Sequence, residues 1–184
     1  VSALILASQS PRRSELLAAA GFSFIVRVKP VEEVRRNGES PVSYVRRLAC
    51  EKAATARENS GEIALGADTV VVVDDHVLEK PRDAEDARAM LRLLSGRDHT
   101  VITGICLAHD GGSISDHSST EVRFAPLTDA EIDEYVASGE PMDKAGAYAI
   151  QGLASKFIER IEGCYFNVVG LPVSLVYRYW KTLR

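Results

Sequence analysis

The side chains that could do chemistry in this sequence are a set of cations near helix starts and a few carboxylates. Arg12 and Arg13 stand in the first turn of a helix opened by Ser10 and Pro11, just after the apolar run Leu4-Ile5-Leu6. A helix N-terminus carries partial positive charge, so two adjacent arginines there are locally unfavourable. Such local conflicts tend to mark functional sites. A polyanion at the same helix start resolves this one, because backbone N–H groups and two guanidinium forks then bind phosphate oxygens together. Lys52, in "CEKAA", falls at the edge of the apolar face of a second helix. A lysine there either snorkels to solvent or aims into a cleft. Lys80 lies near a turn, where composition alone favours a solvated lysine.

Among the acids, Asp68 is the candidate for proton or metal chemistry. It sits where Gly66-Ala67 enters the β-branched run Thr69–Val73. Gly66 permits either a close backbone approach or an unusual dihedral. Aspartate is also a common turn residue, so a structural role is equally open at this point. A carboxylate at the end of a buried strand can bind a metal or orient water. Glu32-Glu33, in a polar loop, offers a further carboxylate. Together with Asp68 it suits Mg²⁺, which takes few protein carboxylates and shares its shell with phosphates. Asp74-Asp75 reads as a hairpin turn. No GxxxxGK[ST], GxGxxG or GxSxG occurs, which disfavours Walker-type, Rossmann and α/β-hydrolase chemistry.

The elements that must position these groups follow from periodicity and punctuation. Strands are expected at Ala3–Ala7, Ser23–Val28, Ile63–Leu65, Thr69–Val73 and Val77-Leu78. Two longer strands, His99–Ala108 and Ser113–Phe124, flank Asp110-Gly111-Gly112. Ile150–Gln151 and Phe157–Ile161 are shorter candidates. Helices are expected from Pro11 to Ala20, stopped by Gly21, and from Pro41 to about Asn59. Asp83 caps a helix ending near Ser95-Gly96, and Thr128 to Glu131 has capping-box spacing for a helix ending at Gly139. A C-terminal amphipathic helix follows Gly170-Leu171-Pro172. Lys29–Glu39 is a polar loop. This pattern is an α/β fold, a mixed twisted sheet flanked by helices and arranged as two lobes around a cleft. The 184 residues suit a single domain, 1–184.

Composition narrows the class. Hydrophobic residues are 46% and charged residues 26%, as in ordinary soluble proteins. The net charge of −4 argues against non-specific binding to nucleic acid or anionic membrane. Cys50, Cys106 and Cys164 are widely spaced and the four histidines scattered, so neither a disulfide framework nor a zinc site is expected. No signal peptide or membrane-length apolar run is evident, and a cytoplasmic location is the expectation. Leu175, Val176, Tyr179 and Trp180 on the last helix suit either a homodimer face or the core.

In register along nearly the whole chain, "LASQSPRRSELL", "RLACEKA", "GADTVV", "LEKPRD", "SGEPMDKAGAYAIQG" and "VVGLP" resemble the Maf family of nucleoside triphosphate pyrophosphatases. The resemblance implies a Maf/ITPase-like fold with a deep nucleotide cleft, and hydrolysis of a nucleoside triphosphate to the monophosphate and pyrophosphate. It also implies a divalent cation (Mg²⁺, Mn²⁺ or Co²⁺). By the same resemblance Asp68 is the proton acceptor, Arg13, Lys52 and Lys80 are phosphate-handling cations, and Glu33 is an acidic partner on the metal with Asp68. Ser8, Ser10, Arg12 and Arg13 form the phosphate-binding stretch. Arg12, Thr69 and Gln151 match the dTTP/UTP branch, which implies pyrimidine nucleotides, modified ones included, as substrates. A glutamine amide offers one donor and one acceptor, which can match the N3–H and O4 edge of uracil or thymine. The other reading is a nucleotide-binding regulator of cell division with little or no turnover.

Overall fold

The computed structural model describes residues 3–183. Strands β1 (Leu4–Leu6), β2 (Phe24–Val26), β3 (Ile63–Val73), β4 (His76–Leu78), β5 (Asp98–His109), β6 (Gly112–Phe124) and β7 (Ile158–Glu162) run in the order β2-β1-β3-β5-β6-β7, with β4 on β3. β1 is parallel to both β2 and β3, with Leu6 opposite Val26 on one side and Leu65 on the other. The β3–β4 and β6–β7 pairs are antiparallel. The sheet is therefore mixed. The helices are α1 (Pro11–Ala19), α2 (Pro41–Ala56), α3 (Ala84–Leu94), α4 (Asp129–Ala137), α5 (Tyr165–Val169) and α6 (Val173–Trp180). Among the described residues no helix is long and apolar enough to cross a membrane.

The chain divides into two compact units. Unit 1 holds the described part of Val1–Asp68, Thr103–Ser118 and Gly170–Arg184, and unit 2 holds Thr69–Ile102 and Ser119–Val169. In unit 1, successive strand residues point to opposite faces, and both faces are covered. Leu4, Leu6, Leu65 and Leu107 pack with Leu17 of α1 and with Leu175, Val176 and Trp180 of α6. The apolar face of α6 is thus spent in this core. Ile5, Ala7, Ala64 and Cys106 pack with Ala49, Ala53 and Ala56 of α2.

The small residues on that second face set a close helix–sheet distance. A Cβ on Gly66 would lie 2.8 Å from the Ala53 nitrogen, and one on Gly104 would lie 2.5 Å from the Val45 carbonyl. Gly66 therefore serves close approach and not an unusual dihedral. The expected break at Gly66-Ala67-Asp68 does not occur: β3 is continuous, and Asp68 stands inside it. Accommodating α2, with no turn to make, is what keeps the strand whole.

Unit 2 packs α3 and α4 against its own apolar cluster, which includes Leu91, Leu94, Phe124, Tyr135, Tyr148 and Phe157. Asp83 caps α3, accepting from the Asp86 amide at 2.8 Å. Thr128 and Glu131 form the anticipated capping box of α4. Ile150–Gln151, expected as strand, is instead a turn, closed by the Gly152 amide donating to the Ala149 carbonyl at 3.1 Å. The bond between its two neighbours reverses the chain here, so no extended pair of residues is presented to a ladder. The three cysteines are free thiols.

Candidate active site

The core of the site lies within unit 1. Ser40 and Pro41 start α2, with the Ser43 amide donating to the Ser40 hydroxyl at 3.1 Å. Three helical turns later α2 carries Lys52 over β3. The Lys52 Nζ donates to Asp68 Oδ1 at 2.7 Å and lies 2.9 Å from Glu33 Oε1. The snorkelling alternative for Lys52 is therefore not what the fold does. Asp68 is only 8% exposed. Burial pushes its carboxyl above the usual aspartate range, against the opposing pull of Lys52 and then Arg13.

Arg13 answers the question raised by the paired arginines differently from Arg12. Its Nε donates to the Gly170 carbonyl at 2.8 Å, and one terminal nitrogen donates to the Ala67 carbonyl at 2.9 Å and the Ser8 hydroxyl at 3.1 Å. It is thereby pinned beside Asp68, and through Ala67 it braces the strand residue that precedes that acid. Burial lowers its pKa, while the facing Asp68 carboxylate pulls it back up. Arg12 is half-buried one position earlier on the same turn.

Ser10 occupies the N-cap position of α1, but its side chain makes no capping bond. Its amide instead donates to the Ser8 hydroxyl at 3.2 Å. Ser8 thus accepts from both Ser10 and Arg13. A hydroxyl has two lone pairs and one proton, so what Ser8 retains is a donor. The cluster Arg12, Arg13, Lys52, Asp68 and Glu33 holds three cations and two carboxylates, a net +1 when all are ionised, in a chain of net charge −4.

The loop bearing Glu33 is anchored by residues that the sequence reading passed over. The Tyr44 hydroxyl donates to the Glu33 carbonyl at 3.3 Å. Arg47 donates to the Val34 carbonyl at 2.9 Å and to both Glu39 carboxylate oxygens at 2.8 Å. Tyr44 shares the α2 stripe with Val45 and Leu48, so its place in the core was readable; its hydroxyl partner was not. The Arg47 and Glu39 pairing has no periodic signature.

Asp68 Oδ1 and Glu33 Oε1 converge on one cationic atom, Lys52 Nζ, so their oxygens already face a point where positive charge resides. Hard carboxylate oxygens suit Mg²⁺, Mn²⁺ or Co²⁺. Among the described residues no group of three or more His, Cys, Asp or Glu could hold a metal. A divalent cation here would therefore draw the rest of its shell from phosphate and water.

The remaining predicted residues belong to unit 2. Thr69 directly follows Asp68 in β3 and is half-buried. Lys80 is exposed in the segment between β4 and α3, with no hydrogen bond or ion pair among the described residues. Gln151 is exposed on its turn.

A mixed sheet with a buried, cation-bound carboxylate beside an arginine-bearing helix start defines an α/β protein with a charged cluster suited to a polyanionic ligand. The family model for Maf-like proteins matches residues 3–183, and the chain belongs to the Maf family. It is 53% identical over 179 residues to a dTTP/UTP pyrophosphatase of Koribacter versatilis, covering 97% of this chain and 93% of that one. A dTTP/UTP pyrophosphatase of Vibrio cholerae is 51% identical over 175 residues, covering 94% of each chain. The solved Ham1 protein of Staphylococcus aureus superposes with a TM-score of 0.56 at 11% identity, over 98% of this chain and 99% of that one, a likeness of fold.

Proposed function

We propose that this protein hydrolyses the pyrimidine nucleoside triphosphates dTTP and UTP, and base-modified relatives, to the monophosphate and pyrophosphate. The observation that carries this reading is the buried Asp68 carboxylate, held by Lys52 beside Arg13, in a chain about half identical to dTTP/UTP pyrophosphatases. A carboxylate at its ordinary pKa is a weak base, and raising it by burial brings it nearer the working pH.

In the reaction, water attacks the α-phosphorus and gives its proton to Asp68. A new P–O bond forms, the bond from the α-phosphorus to the bridging oxygen breaks, and pyrophosphate leaves with that electron pair. Lys52 and Arg13 keep Asp68 oriented and oppose its negative charge. Ser8, Ser10, Arg12, Arg13 and the start of α1 receive phosphate oxygens, and Lys80 is a phosphate-handling cation by the family resemblance alone. A divalent cation held by Asp68 and Glu33 would supply neutralisation of the triphosphate charge. Thr69, Arg12 and Gln151 select the base, with the Gln151 amide matching the donor–acceptor edge of uracil and thymine. The cytoplasm, where such nucleotides are made, is the setting that suits this activity.

A binder without turnover has no need of a buried carboxylate whose charged form is costly, which disfavours a purely regulatory role. The test is product identification after incubation with UTP and Mg²⁺. UMP and pyrophosphate are expected; UDP with orthophosphate, or binding without product, overturns the reading.

A further inference from the structure

The turn that carries Gln151 is held by groups with no part in the chemistry so far. Glu140 opens the 3₁₀ turn Glu140–Asp143 that follows α4. Both of its carboxylate oxygens accept from the Leu153 amide, each at 3.1 Å. The hydroxyl of Tyr135, from the end of α4, donates to Glu140 Oε2 at 2.7 Å and accepts from the Ala149 amide at 3.1 Å. One hydroxyl and one carboxylate thus bind the two flanks of residues 149–153, and the Gly152 amide closes the turn on Ala149. Gly152 is what admits the carboxylate, since a Cβ there would sit 2.6 Å from Glu140 Cδ.

The approach to this turn is equally constrained. Ala147 has φ +60°, a left-handed conformation that costs a non-glycine residue energy, and it is fully buried. Its amide donates to the Lys144 carbonyl at 3.0 Å, and the preceding Gly146 amide donates to the Glu79 carbonyl at 3.1 Å. Lys144 Nζ in turn donates to the Glu140 carbonyl at 2.8 Å. Against this over-determined backbone, the Gln151 side chain is exposed and its amide has no hydrogen-bond partner among the described residues. A surface turn held so firmly, with an uncommitted amide at its tip, is built for presentation and not for packing.

We propose that Tyr135 and Glu140 are positioning residues that fix the Gln151 turn and thereby sharpen discrimination between pyrimidine bases. The inference rests on the reading of Gln151 as a base-selecting residue. The bracket fixes the Gln151 backbone, and so the distance and direction from which its amide meets a base; the side chain keeps its own rotations. From a fixed Cα the amide can reach one base edge with both of its groups, whereas a mobile turn lets it adjust to either edge.

The experiment compares kcat/KM for UTP and CTP at one Mg²⁺ concentration in wild type, Gln151→Ala, Tyr135→Phe, Glu140→Gln and Tyr135→Phe/Gln151→Ala, with melting temperatures read alongside. Tyr135→Phe keeps the ring packed edge-on against Phe157, 5.6 Å between centroids, and so spares the fold if Glu140→Gln does not. Tyr135→Phe is expected to lower the UTP:CTP ratio about tenfold through KM for UTP, with kcat held within about threefold. In the Gln151→Ala background it should lower the ratio no further. If Gln151→Ala leaves the ratio unchanged, the base-selection reading fails and takes this inference with it. If Gln151→Ala lowers the ratio and Tyr135→Phe does not, the bracket alone is overturned. The same holds if Tyr135→Phe depresses kcat equally for both nucleotides, or if the two changes are additive.

Discussion

Asp68 of unit 1 and Gln151 of unit 2, the proposed proton acceptor and the proposed base reader, are kept in opposite conditions. Asp68 is buried, bonded to Lys52 and flanked by Arg13. Gln151 is exposed, its side chain has no hydrogen bond among the described residues, and the turn that carries it is fixed by the backbone on either side. The difference is the one that the proposed roles require. A proton acceptor gains strength when its charge is poorly solvated, so it must be taken out of water and then steadied by cations. A base-reading amide must arrive with its hydrogen-bonding capacity unspent, so it must stay in water and be steadied through its main chain. On these proposed roles, the catalytic group leaves its record in burial and ion pairing, and the recognition group leaves one in the bonds around it.

The largest effect should come from removing the buried charge itself. Asp68→Asn keeps shape and loses basicity; pyrophosphate release from UTP is expected to fall about 10³-fold or more. Because burial disfavours the ionised acid, its neutral replacement should leave the melting temperature unchanged or raise it. A variant that is both active and less stable would sink the contrast with Gln151, whose replacement should alter base preference and leave the melting temperature alone.

Next in size is the approach that brings Lys52 to Asp68. Gly66→Ala places a methyl group 2.8 Å from the Ala53 amide nitrogen and also against the Ala49 carbonyl. Backbone, unlike a side-chain tip, cannot swing aside, so chemical denaturation should show a loss of about 3 kcal/mol. Gly111→Ala is the matched control, meeting only the His109 ring.

Unit 2 has its own buried titratable group, and it should make that unit the acid-sensitive one. His99 is 3% exposed, bonded through Nε2 to the Tyr148 hydroxyl at 2.8 Å, and burial lowers its pKa to about 4 from 6.5. The unfolded chain binds this proton first as pH falls. Stability from the neutral ring is therefore complete above pH 6.5 and is lost as pH drops from there towards 4. At pH 5 the loss should be about 2 kcal/mol relative to pH 7, and the slope should vanish in His99→Gln, which can still accept from Tyr148. Hydrogen exchange at Tyr148 and Phe124 locates the loss; a slope that persists in His99→Gln assigns it elsewhere.

How much of this was legible in the sequence depends on the kind of signal. Alternation and capping residues placed most elements: Asp83, Thr128 and Glu131 cap as read, and the long strands β5 and β6 lie where the apolar runs put them. The misreadings came where one residue type serves two backbones. Gly66 reads equally as a break or as a close approach, and only the presence of α2 decides. Ile150–Gln151 has strand-like composition, but Glu140, at a distance along the chain, captures the Leu153 amide and fixes a turn. Residue type and position offered Lys52 and the Glu32-Glu33 pair, resemblance chose Glu33 and gave both their expected roles, and the structure added that Lys52 and Glu33 meet. Arg47, Tyr44, Tyr135 and Glu140 escaped because a hydrogen bond between distant residues has no period.

The smallest expected effect concerns the loop that bears Glu33, which mirrors the Gln151 turn with a different fastening. Here the bracket is charged: Arg47 grips both oxygens of Glu39, which also accepts from the Arg36 amide at 3.0 Å. The arginine holds the Glu39 carboxyl down to about 2, from an ordinary 4.5. A depressed folded-state pKa means the contribution is present above pH 4.5 and lost only as pH falls towards 2. The loop should thus be held equally from pH 6 to 9. Arg47→Ala is expected to lower kcat/KM for UTP about threefold by loosening residues 31–39, less than Glu33→Gln does, since it removes a support and not a site group. Its pH–rate profile between 6 and 9 should parallel that of wild type. A changed profile shape would mean that Arg47 acts on the ionisation of the site directly, and the charged bracket would then not be the counterpart of the one formed by Tyr135 and Glu140.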